Sequence, residues 1–596
     1  MIDNIFGNLI EPDDRLARHL ESISGIRHLH RRSPLDPIPG QPITLTVTTG
    51  GPHSYDSVRC FYTLDGSDPA AGGAAFLELV PLRVDWDDLS WGYVSTWTVS
   101  LPAQPAGTLI RYQLAGCQAD DGNWVYADSG SKTAGEADHF ALWVDNDPVP
   151  TWTCTALVYQ VFLDRFYPGD GKKWNNAKNL GDYFGGTLRG VIDKLDYIRS
   201  LGINTIWLSP FFKSSSHHGY NGSDYYAVEP RLGTNADLKE LIEKAHLHGM
   251  RMILDFVANH WSKDHPTFQD AQKDPNSPYH DWYTWNHWPD DYDAYFHVKE
   301  LPRLNLRPGP AREYLLDAAR YWLREGFDGY RLDFAYGPSL DFWVDFRRAC
   351  RAVKPDCWIF GEVVHTAEVQ RSYTGIMDGT LDFLLARALR ETIAFERMSL
   401  AEFEAFLARH EAFFPAEFSR PAFLDNHDMS RFLYLCDGDK RKLRLGALLL
   451  YTLSGPPIVY NGTEAGVTQE RPMQQGNRYV FEEARMPMKW DAEADKDLIK
   501  FFRQLAHLRA AHPVIWKGKR RLAALDEKRK TYAYIYENAT EKILIAINLG
   551  KDLCTIRVPG NRLESAHDQL FGSAQEIVEG ELKIVLDACS GAFICS

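Results

Sequence analysis

Three acidic residues, each at the carboxyl end of an apolar run, are the feature of this sequence that indicates chemistry. The runs are Gly-Tyr-Arg-Leu-Asp333, Trp-Ile-Phe-Gly-Glu362 and Phe-Leu-Asp-Asn-His-Asp428. In a (β/α)8 barrel, residues at the C-terminal ends of the strands converge on one active site. Cleavage of a glycosidic bond needs one carboxylic acid and one carboxylate, so the three runs together favour that reaction.

The neighbours of two of these acids suggest different roles. Arg331 lies two positions before Asp333, so both side chains point to the same side of the strand, and the guanidinium would keep the carboxylate ionised and oriented. This favours Asp333 as the nucleophile. Glu362 is flanked by glycine and valine, and burial there would raise its pKa and let it act as the general acid and base. A structural Arg–Asp pair and a plain strand-end glutamate are the alternatives.

A fourth run, residues 251–260, also ends polar, in Asn259-His260. In order and spacing the four runs resemble the four signature regions of the α-amylase superfamily of glycoside hydrolases. The resemblance implies that Asp428 and the adjacent His427 grip sugar hydroxyls and stabilise an oxocarbenium-like transition state. It also implies that His260 and Tyr220 bind the sugar at the cleaved bond, Tyr220 by stacking.

The same resemblance implies retention of the anomeric configuration in two steps. Asp333 would form a β-glucosyl–enzyme while Glu362 protonates the leaving sugar, and Glu362 would then deprotonate water or another sugar hydroxyl. Retention requires the two carboxyl groups roughly 5 Å apart. Asp255, inside the fourth run, is expected to support the site from below rather than to touch substrate.

Leu-Pro-Arg303-Leu-Asn resembles the fifth signature region of the cyclomaltodextrinase, neopullulanase and maltogenic amylase subgroup. That implies hydrolysis of α-1,4 bonds in cyclodextrins, short maltodextrins and pullulan. Residues 334–337 read Phe-Ala-Tyr-Gly where the subgroup usually has Val-Ala-Asn-Glu, and valine precedes His365 where tryptophan is usual. Both departures fall on the acceptor side of the scissile bond and put the choice of acceptor in question. A transglycosylase therefore stays an alternative. A non-catalytic interaction barrel is a remote one, because such barrels lose catalytic carboxylates.

The 596 residues are too many for one core and predict three domains. Short alternating runs favour an N-terminal β-sandwich over residues 1–146, and its place ahead of the barrel resembles the carbohydrate-binding-like domain of that subgroup. Alternating strands and helices predict a (β/α)8 TIM barrel, an α/β fold, over 147–512, with a subdomain inserted after the third strand at about 261–305. Short strands return in a C-terminal antiparallel β domain over 513–596. Core packing is expected for most of Trp86, Trp91, Tyr93 and Trp97, with contact to glucan or to a second copy of the chain as the alternative.

The composition restricts the partners. The net charge of −15 argues against nucleic acid or an anionic membrane surface, and is compatible with a neutral glucan. We find no run of 18 apolar residues and no evident signal peptide. The nine cysteines, odd in number and without metal-type spacing, indicate free thiols and a cytoplasmic location. The resemblance also implies a homodimer.

The chemistry requires no cofactor, but members of the subgroup often hold a structural Ca²⁺ in the loop after the first strand. Carboxylate and amide oxygens suit this ion. The usual first asparagine is proline here, and an ordinary polar loop is an equal alternative. Asn259 is a further candidate by analogy with classical amylases. In the loop itself the candidate ligands are Asp170, Asn175, Asn176 and Asp182.

Overall fold

The computed structural model describes residues 5–120, 122–453, 455–559, 563 and 567–595. At its centre lies a sheet of eight parallel strands, which we label β1 to β8 in chain order. Their neighbours run β6-β5-β4-β3-β2-β1-β8-β7. The bounds are Val158–Val161, Thr205–Leu208, Arg251–Val257, Gly329–Asp333, Trp358–Gly361, Gly379–Thr380, Ala422–Phe423 and Pro457–Tyr460.

The two outer strands of this sheet meet and close it. The Thr380 N–H donates to the Ser419 carbonyl (3.1 Å), and the Asp382 N–H donates to the Pro421 carbonyl (2.9 Å). Apolar side chains from the strands, such as Trp207, fill one buried cluster inside the ring. The structure therefore confirms the predicted (β/α)8 barrel, whose strand ends share one rim.

Helices surround the barrel and bury their apolar faces against the strands. The helix after β2 shows why such a segment begins where it does: Thr234 and Asp237 form a reciprocal capping box at its N-terminus. The helices are Leu188–Asp193, Leu195–Ser200, Asn235–Leu247, Pro310–Arg324, Leu340–Val353, Ala367–Ser372, Phe383–Leu389, Leu400–Phe413, Phe432–Leu435, Lys440–Thr452, Lys496–Ala511 and Val514–Lys517.

An insertion follows β3, as the long aromatic segment predicts. It is built from short elements around buried Trp and Tyr side chains rather than from a separate sheet core. Its last turn runs toward the barrel rim, and Phe296 and His297 there have positive φ angles of 45° and 62°. The elements are Pro266–Lys273, His280–Trp282, Trp285–His287, Asp291–Tyr292 and Tyr295–His297.

Two antiparallel sheets form the N-terminal sandwich, and a helix, Pro12–Ile23, precedes them. Two short strands, Gly25–Arg27 and Arg32–Ser33, precede the longer strands of the sandwich. One sheet contains Gly25–Arg27, Arg32–Ser33, Ile43–Gly50, Val80–Asp87 and Gly92–Leu101. The other contains Tyr55–Thr63, Ala75–Glu78, Leu109–Gln118, Trp124–Tyr126 and Phe140–Trp143.

Buried ion pairs join the sandwich to the barrel. Arg111 of the sandwich donates to Asp341 (2.6 Å) and Asp345 (3.0 Å) on the barrel helix Leu340–Val353. Arg312 donates to the same two carboxylates. Moving the sandwich away from the barrel would separate these ion pairs and leave uncompensated buried charges, which is unfavourable. The network therefore holds the sandwich beside the barrel.

One hairpin of the sandwich departs from the expectation of core packing. Trp86, Trp91 and Tyr93 are 45%, 78% and 71% exposed, so the prediction is wrong for these three. Trp97 packs against the sandwich core and donates its indole N–H to Thr49. The physical reason is position: Val80–Asp87 lies at the edge of its sheet, and its alternate side chains point away from the sandwich core.

The C-terminal residues form two antiparallel sheets around their own apolar core. Within the part of the chain that the structure describes, none of the helices has the length and apolarity to cross a membrane. The first sheet contains Lys519–Asp526, Thr531–Glu537, Lys542–Asn548, His567–Asp568 and Ser590–Cys595. The second contains Cys554–Pro559, Ala574–Val578 and Glu581–Leu586.

Candidate active site

The guanidinium of Arg331 connects three carboxyl groups at the rim of the barrel. Its Nη1 donates to Asp333 Oδ1 (2.8 Å) and to Asp255 Oδ1 (2.7 Å). Its Nη2 lies 2.8 Å from Glu362 Oε1. Arg331 and Asp255 are fully buried, and Asp333 nearly so. The structure thus brings the two predicted catalytic carboxyls onto adjacent nitrogens of one cation.

Glu362 also has a backbone partner. It follows the last residue of β5, and its Oε2 accepts the Phe334 N–H at 3.0 Å. Phe334 follows the last residue of β4 and has a positive φ of 40°, a conformation that few non-glycine residues adopt. The turn after Asp333 therefore holds Glu362 beside it.

Asp428 lies on a second cluster of the same rim, five residues after β7. Arg485 Nη2 donates to Asp428 Oδ1 (2.6 Å), and His427 Nε2 lies 2.9 Å from Asp428 Oδ2. Arg485 also donates to the His427 carbonyl (2.9 Å). His427 Nδ1 faces the Gln160 amide nitrogen (2.7 Å), which fixes the plane of the imidazole.

Tyr220 links the two clusters. Its hydroxyl donates to Asp255 Oδ2 (2.8 Å) and lies 2.7 Å from His427 Nε2. Its ring stacks on His427 with centroids 5.2 Å apart and planes 4° from parallel. Asp255 accepts a further bond from the Trp207 indole (3.0 Å). Asp255 thus holds Tyr220 and Arg331 in place, an arrangement that fits a support role.

His260 lies beside the insertion. Its ring stacks on Tyr295 (4.4 Å, 25°), and its Nδ1 is 3.1 Å from the Asn259 amide nitrogen. Burial lowers the pKa of His260 to about 3, so the ring is neutral. His218, to which the sequence assigned no role, accepts the Tyr220 N–H at 3.2 Å and stacks on its ring.

The electrostatics of the rim separate the three predicted carboxyls. Burial raises the pKa of Glu362 despite Arg331, and the nearby Asp333 and Asp428 raise it further. Burial likewise raises the pKa of Asp333 to about 7, against the effect of Arg331. Burial also acts on Asp428, but His427 and Arg485 outweigh it and hold the pKa of Asp428 well below its usual range.

These directions mean that a proton is held beside Arg331. Asp255, Asp333 and Glu362 share one guanidinium, and burial raises the pKa of Asp255 to about 6 as well. A proton on Glu362 leaves the Arg331 contacts to the two aspartates intact and relieves repulsion among the three acids. The arrangement can therefore present one protonated and one ionised carboxyl together.

Two residues of the site were not found in the sequence. Arg485 lies in the long segment after β8, where no strand or helix pattern marks it. Tyr295 lies in the insertion, and its ring contacts those of His260 (4.4 Å) and of Phe334 (4.9 Å), the residue after Asp333. The segment around Tyr295 is rich in aromatic residues, but it contains several tyrosines, and the sequence does not distinguish Tyr295 from the others.

The structure gives two of the predicted calcium ligands local partners of their own. The Asp182 carboxylate accepts the backbone N–H groups of Lys178 (2.8 Å) and Asn179 (3.0 Å), and so closes a local turn. Asp170 faces the cations Lys172 and Arg189. Asn175 and Asn176 are exposed. Among the described residues, His, Cys, Asp and Glu form no group of three suited to a metal. A Ca²⁺ site that also uses asparagine and backbone oxygens of this loop stays a prediction.

The chain is similar to several known proteins. Residues 160–541 match the model of the alpha amylase catalytic domain. Alpha-amylase 2 of Dictyoglomus thermophilum is 35% identical over 556 residues, 92% of each chain. A cyclomaltodextrinase of a Bacillus species is 33% identical over 70% of this chain and 76% of its own. A solved cyclomaltodextrinase structure, 25% identical, has a TM-score of 0.70 and covers 96% of this chain and 99% of its own.

Proposed function

This chain belongs to the α-amylase family of glycoside hydrolases, and we propose that it hydrolyses α-1,4 bonds of cyclodextrins and short maltodextrins with retention of configuration. The observation that carries the proposal is the contact of Asp333 and Glu362 with one buried guanidinium, beside an ionised Asp428. The family membership supports the reaction type, and relatives named cyclomaltodextrinase support the substrate class.

In the first step Asp333 attacks the anomeric carbon of the sugar. The bond from that carbon to the leaving oxygen breaks, Glu362 gives its proton to that oxygen, and a β-glucosyl ester of Asp333 forms. Asp428, kept ionised by Arg485 and His427, stabilises the positive charge that develops on the sugar. Tyr220 offers an aromatic face to the same sugar, and His260 holds the loop beside it.

In the second step water attacks the same carbon from the other side. Glu362, now a carboxylate, takes one proton of the water, and the ester bond to Asp333 breaks. The product has the α configuration, and Glu362 is again protonated for the next turnover. If a sugar hydroxyl replaces water, the same steps give transglycosylation, which is the second candidate function.

A third possibility concerns chain length. Alpha-amylase 2 of Dictyoglomus thermophilum is similar over nearly the whole chain, and its name indicates an amylase. Long polymers need an open cleft, whereas cyclic and short glucans are accepted by a closed one. The position of the sandwich beside the barrel supports the closed, short-substrate case.

We also propose that two copies of this chain associate through the sandwich. The edge strand Val80–Asp87 carries a row of exposed apolar side chains, and Trp91 and Tyr93 extend it. Exposed apolar surface of this extent on a sheet edge is a liability unless a partner covers it. Sedimentation of the wild-type chain should show a dimer, and Val84→Asp with Trp86→Ser should give monomers. Monomers at micromolar wild-type concentration would refute the association.

A cytoplasmic location is proposed with it. The structure leaves all nine cysteines as free thiols, which is compatible with a reducing compartment. A relative from Bacillus subtilis, 31% identical over 68% of this chain, is named an intracellular maltogenic amylase. Fractionation of the source cells would test the location directly.

The substrate proposal is tested by initial rates on β-cyclodextrin, maltoheptaose, pullulan and starch, with products identified and Asp333→Asn as the control. We expect cyclodextrin and maltoheptaose to be cleaved well ahead of starch, and the α-anomer to form first. Cleavage of starch at the same rate as these substrates would mean that the site is an open cleft rather than a closed one. Longer or rearranged sugars as the main products would establish the transglycosylase.

A further inference from the structure

A glutamine side chain lies inside the barrel among apolar residues. Gln160 is on β1, and it is fully buried. Val158, two residues earlier on the same strand, belongs to the apolar cluster inside the ring, so the Gln160 side chain points to that interior as well. Burial of a primary amide among apolar side chains is unfavourable unless its polar atoms have partners. The amide at this position therefore requires an explanation.

The two polar atoms of this amide have different surroundings. The Gln160 amide nitrogen lies 2.7 Å from Nδ1 of His427. The amide oxygen is buried and, among the residues that the structure describes, has no hydrogen-bond partner. An unsatisfied buried oxygen destabilises the fold. The contact of the nitrogen with His427 is therefore what explains a polar side chain here.

The opposite nitrogen of His427 faces two oxygen atoms. Nε2 is 2.9 Å from Oδ2 of Asp428 and 2.7 Å from the hydroxyl oxygen of Tyr220. An ionised carboxylate can only accept a hydrogen bond. The Tyr220 hydroxyl gives its one hydrogen to Asp255, so it also offers a lone pair to Nε2. Because both oxygens accept, Nε2 must carry a hydrogen.

The other nitrogen of the imidazole is then an acceptor. Burial lowers the pKa of His427 against the raising effect of Asp428, so the ring carries one hydrogen rather than two at neutral pH. With that hydrogen on Nε2, Nδ1 has only a lone pair, and an amide N–H is a donor that matches it. A carboxylate at the position of Gln160 would instead favour a second hydrogen on the ring.

The neutral state of His427 suits the charges of the rim. Arg485 already donates to Oδ1 of Asp428 and to the His427 carbonyl. An imidazolium would add another cation beside the sugar, whose anomeric carbon becomes positive in the transition state. A neutral ring avoids this repulsion and still donates a hydrogen bond toward Asp428. The charged and titratable groups around the ring are Asp428, Arg331, Arg485, His218 and Tyr220.

We propose that Gln160 is a positioning residue whose amide N–H donates to Nδ1 of His427 and holds the ring neutral, in the plane that directs its Nε2–H at Asp428. This role rests on the proposed function, in which Asp428 stabilises the charged transition state. Gln160 acts through His427 rather than on the substrate. A side chain of β1 thereby controls the hydrogen-bond partner of a carboxylate that follows β7.

The first test determines the hydrogens of the ring in the resting enzyme. The full chain is labelled with nitrogen-15 histidine, and the His427 resonances are assigned by their loss in His427→Asn. At neutral pH we expect Nδ1 to resonate as an unprotonated nitrogen that accepts a hydrogen bond, and Nε2 as a protonated one. A hydrogen on Nδ1 of the wild-type chain would overturn the proposal.

Gln160→Glu reverses the polarity of the contact at nearly the same shape. Because an acceptor replaces the donor, the pKa of His427 should rise by about 1–3 pH units, and Nδ1 should bind its hydrogen at a higher pH than in the wild type. A nitrogen-15 titration of the labelled variant measures this. A His427 titration that is identical in the two chains would contradict the proposed contact.

Kinetics separate positioning from simple packing. Gln160→Leu removes the amide, and Gln113→Leu is the matched control, because Gln113 is buried in the sandwich and donates to the Ala134 carbonyl (2.8 Å). We expect kcat on maltoheptaose to fall roughly ten- to a hundredfold in Gln160→Leu, the scale for partners that orient a functional side chain. KM should stay within about twofold, since the contact acts in the transition state. Equal kcat values in the two variants would mean that Gln160 only fills space.

The two readouts separate this role from the proposed function. The hydrogens of His427 are observed without substrate, and Gln160→Glu supplies the result even if Gln160→Leu does not fold. A chain with the expected ring that cleaves no glucan would uphold the role of Gln160 toward His427 and refute the proposed hydrolysis. A chain that hydrolyses maltoheptaose while His427 responds to neither Gln160 substitution would refute the role of Gln160 alone.

Discussion

The two sides of the candidate active site are built differently. On one side, Asp255, Arg331, Asp333 and His427 are buried beside a half-buried Asp428, and hydrogen bonds and ion pairs shorter than 3 Å connect these side chains. On the leaving-group side, the rings of Phe296 and Tyr336 are exposed, and Phe296, His297 and Phe334 have positive φ angles.

The difference shows where each kind of specificity is located. Charge stabilisation requires groups that do not reorganise during the reaction, so the buried side is fixed by mutual hydrogen bonds. Chain-length selection requires only surfaces that fit a sugar ring, so the leaving-group side tolerates exposed and substituted residues. Variants of the buried side should therefore affect every substrate, and variants of the other side only some.

The largest effect is expected from Asp333→Asn. An amide cannot form the glycosyl ester, so kcat should fall by on the order of 10⁴-fold or more on every substrate. Steady-state rates on maltoheptaose and on α-maltosyl fluoride measure this. The unfolding midpoint serves as the control for an intact fold. A fall in kcat on only one of the two substrates would mean that another residue is the nucleophile.

Glu362→Gln should separate the two substrates. Without a proton to give, the variant should lose about 10³-fold on maltoheptaose, whose leaving group needs protonation. The fluoride of α-maltosyl fluoride leaves as an anion and needs no proton. The rate of glycosyl–enzyme formation from this substrate should therefore fall far less. Pre-steady-state release of fluoride provides the measurement. Equal losses on both substrates would argue against Glu362 as the general acid.

Arg485→Gln tests the second cluster through pH. Arg485 and His427 lower the pKa of Asp428 despite burial, so removing the guanidinium raises that pKa. Asp428 is then protonated at higher pH, and the acid limb of the kcat/KM profile should move upward while the rate falls by about 10²-fold. Arg441→Gln, which removes an exposed pair with Asp439, is the control. An acid limb at an unchanged pH would mean that the ionisation of Asp428 does not control kcat/KM.

The smallest effect is expected from a chelator, because the loop of Asp170 and Asp182 lies outside both sides of the site. Asp182 is already occupied by two backbone donors, and Asp170 faces cations. EDTA should therefore leave the unfolding midpoint within about 1 °C, since only the loss of a bound ion, which stabilises the folded chain by RT ln(1 + [L]/Kd) of free energy, would lower it. A fall of several degrees, reversed by Ca²⁺ and not by Mg²⁺, would restore the predicted metal site.

The sequence was sufficient for the strands, because each barrel strand is a short apolar run whose end is marked by a polar residue. Period-two spacing put Arg331 and Asp333 on one face, and the structure has them in contact at 2.8 Å. The sequence was insufficient to tell whether Trp86, Trp91 and Tyr93 are buried. A run of aromatic residues has the same pattern on a covered strand and on an edge strand. Only the pairing of the strands shows which one lacks a neighbour.

By itself, the sequence determined the barrel, the three carboxyls and their order along the rim, because those depend on local periodicity and on the end at which each strand stops. The tertiary structure decided the partners: that Arg331 contacts three acids, that Arg485 contacts Asp428 from 57 residues away, and that residues of the sandwich and of the barrel line a common cavity. Burial and charge balance depend on all neighbours in space, and no spacing along one chain encodes them.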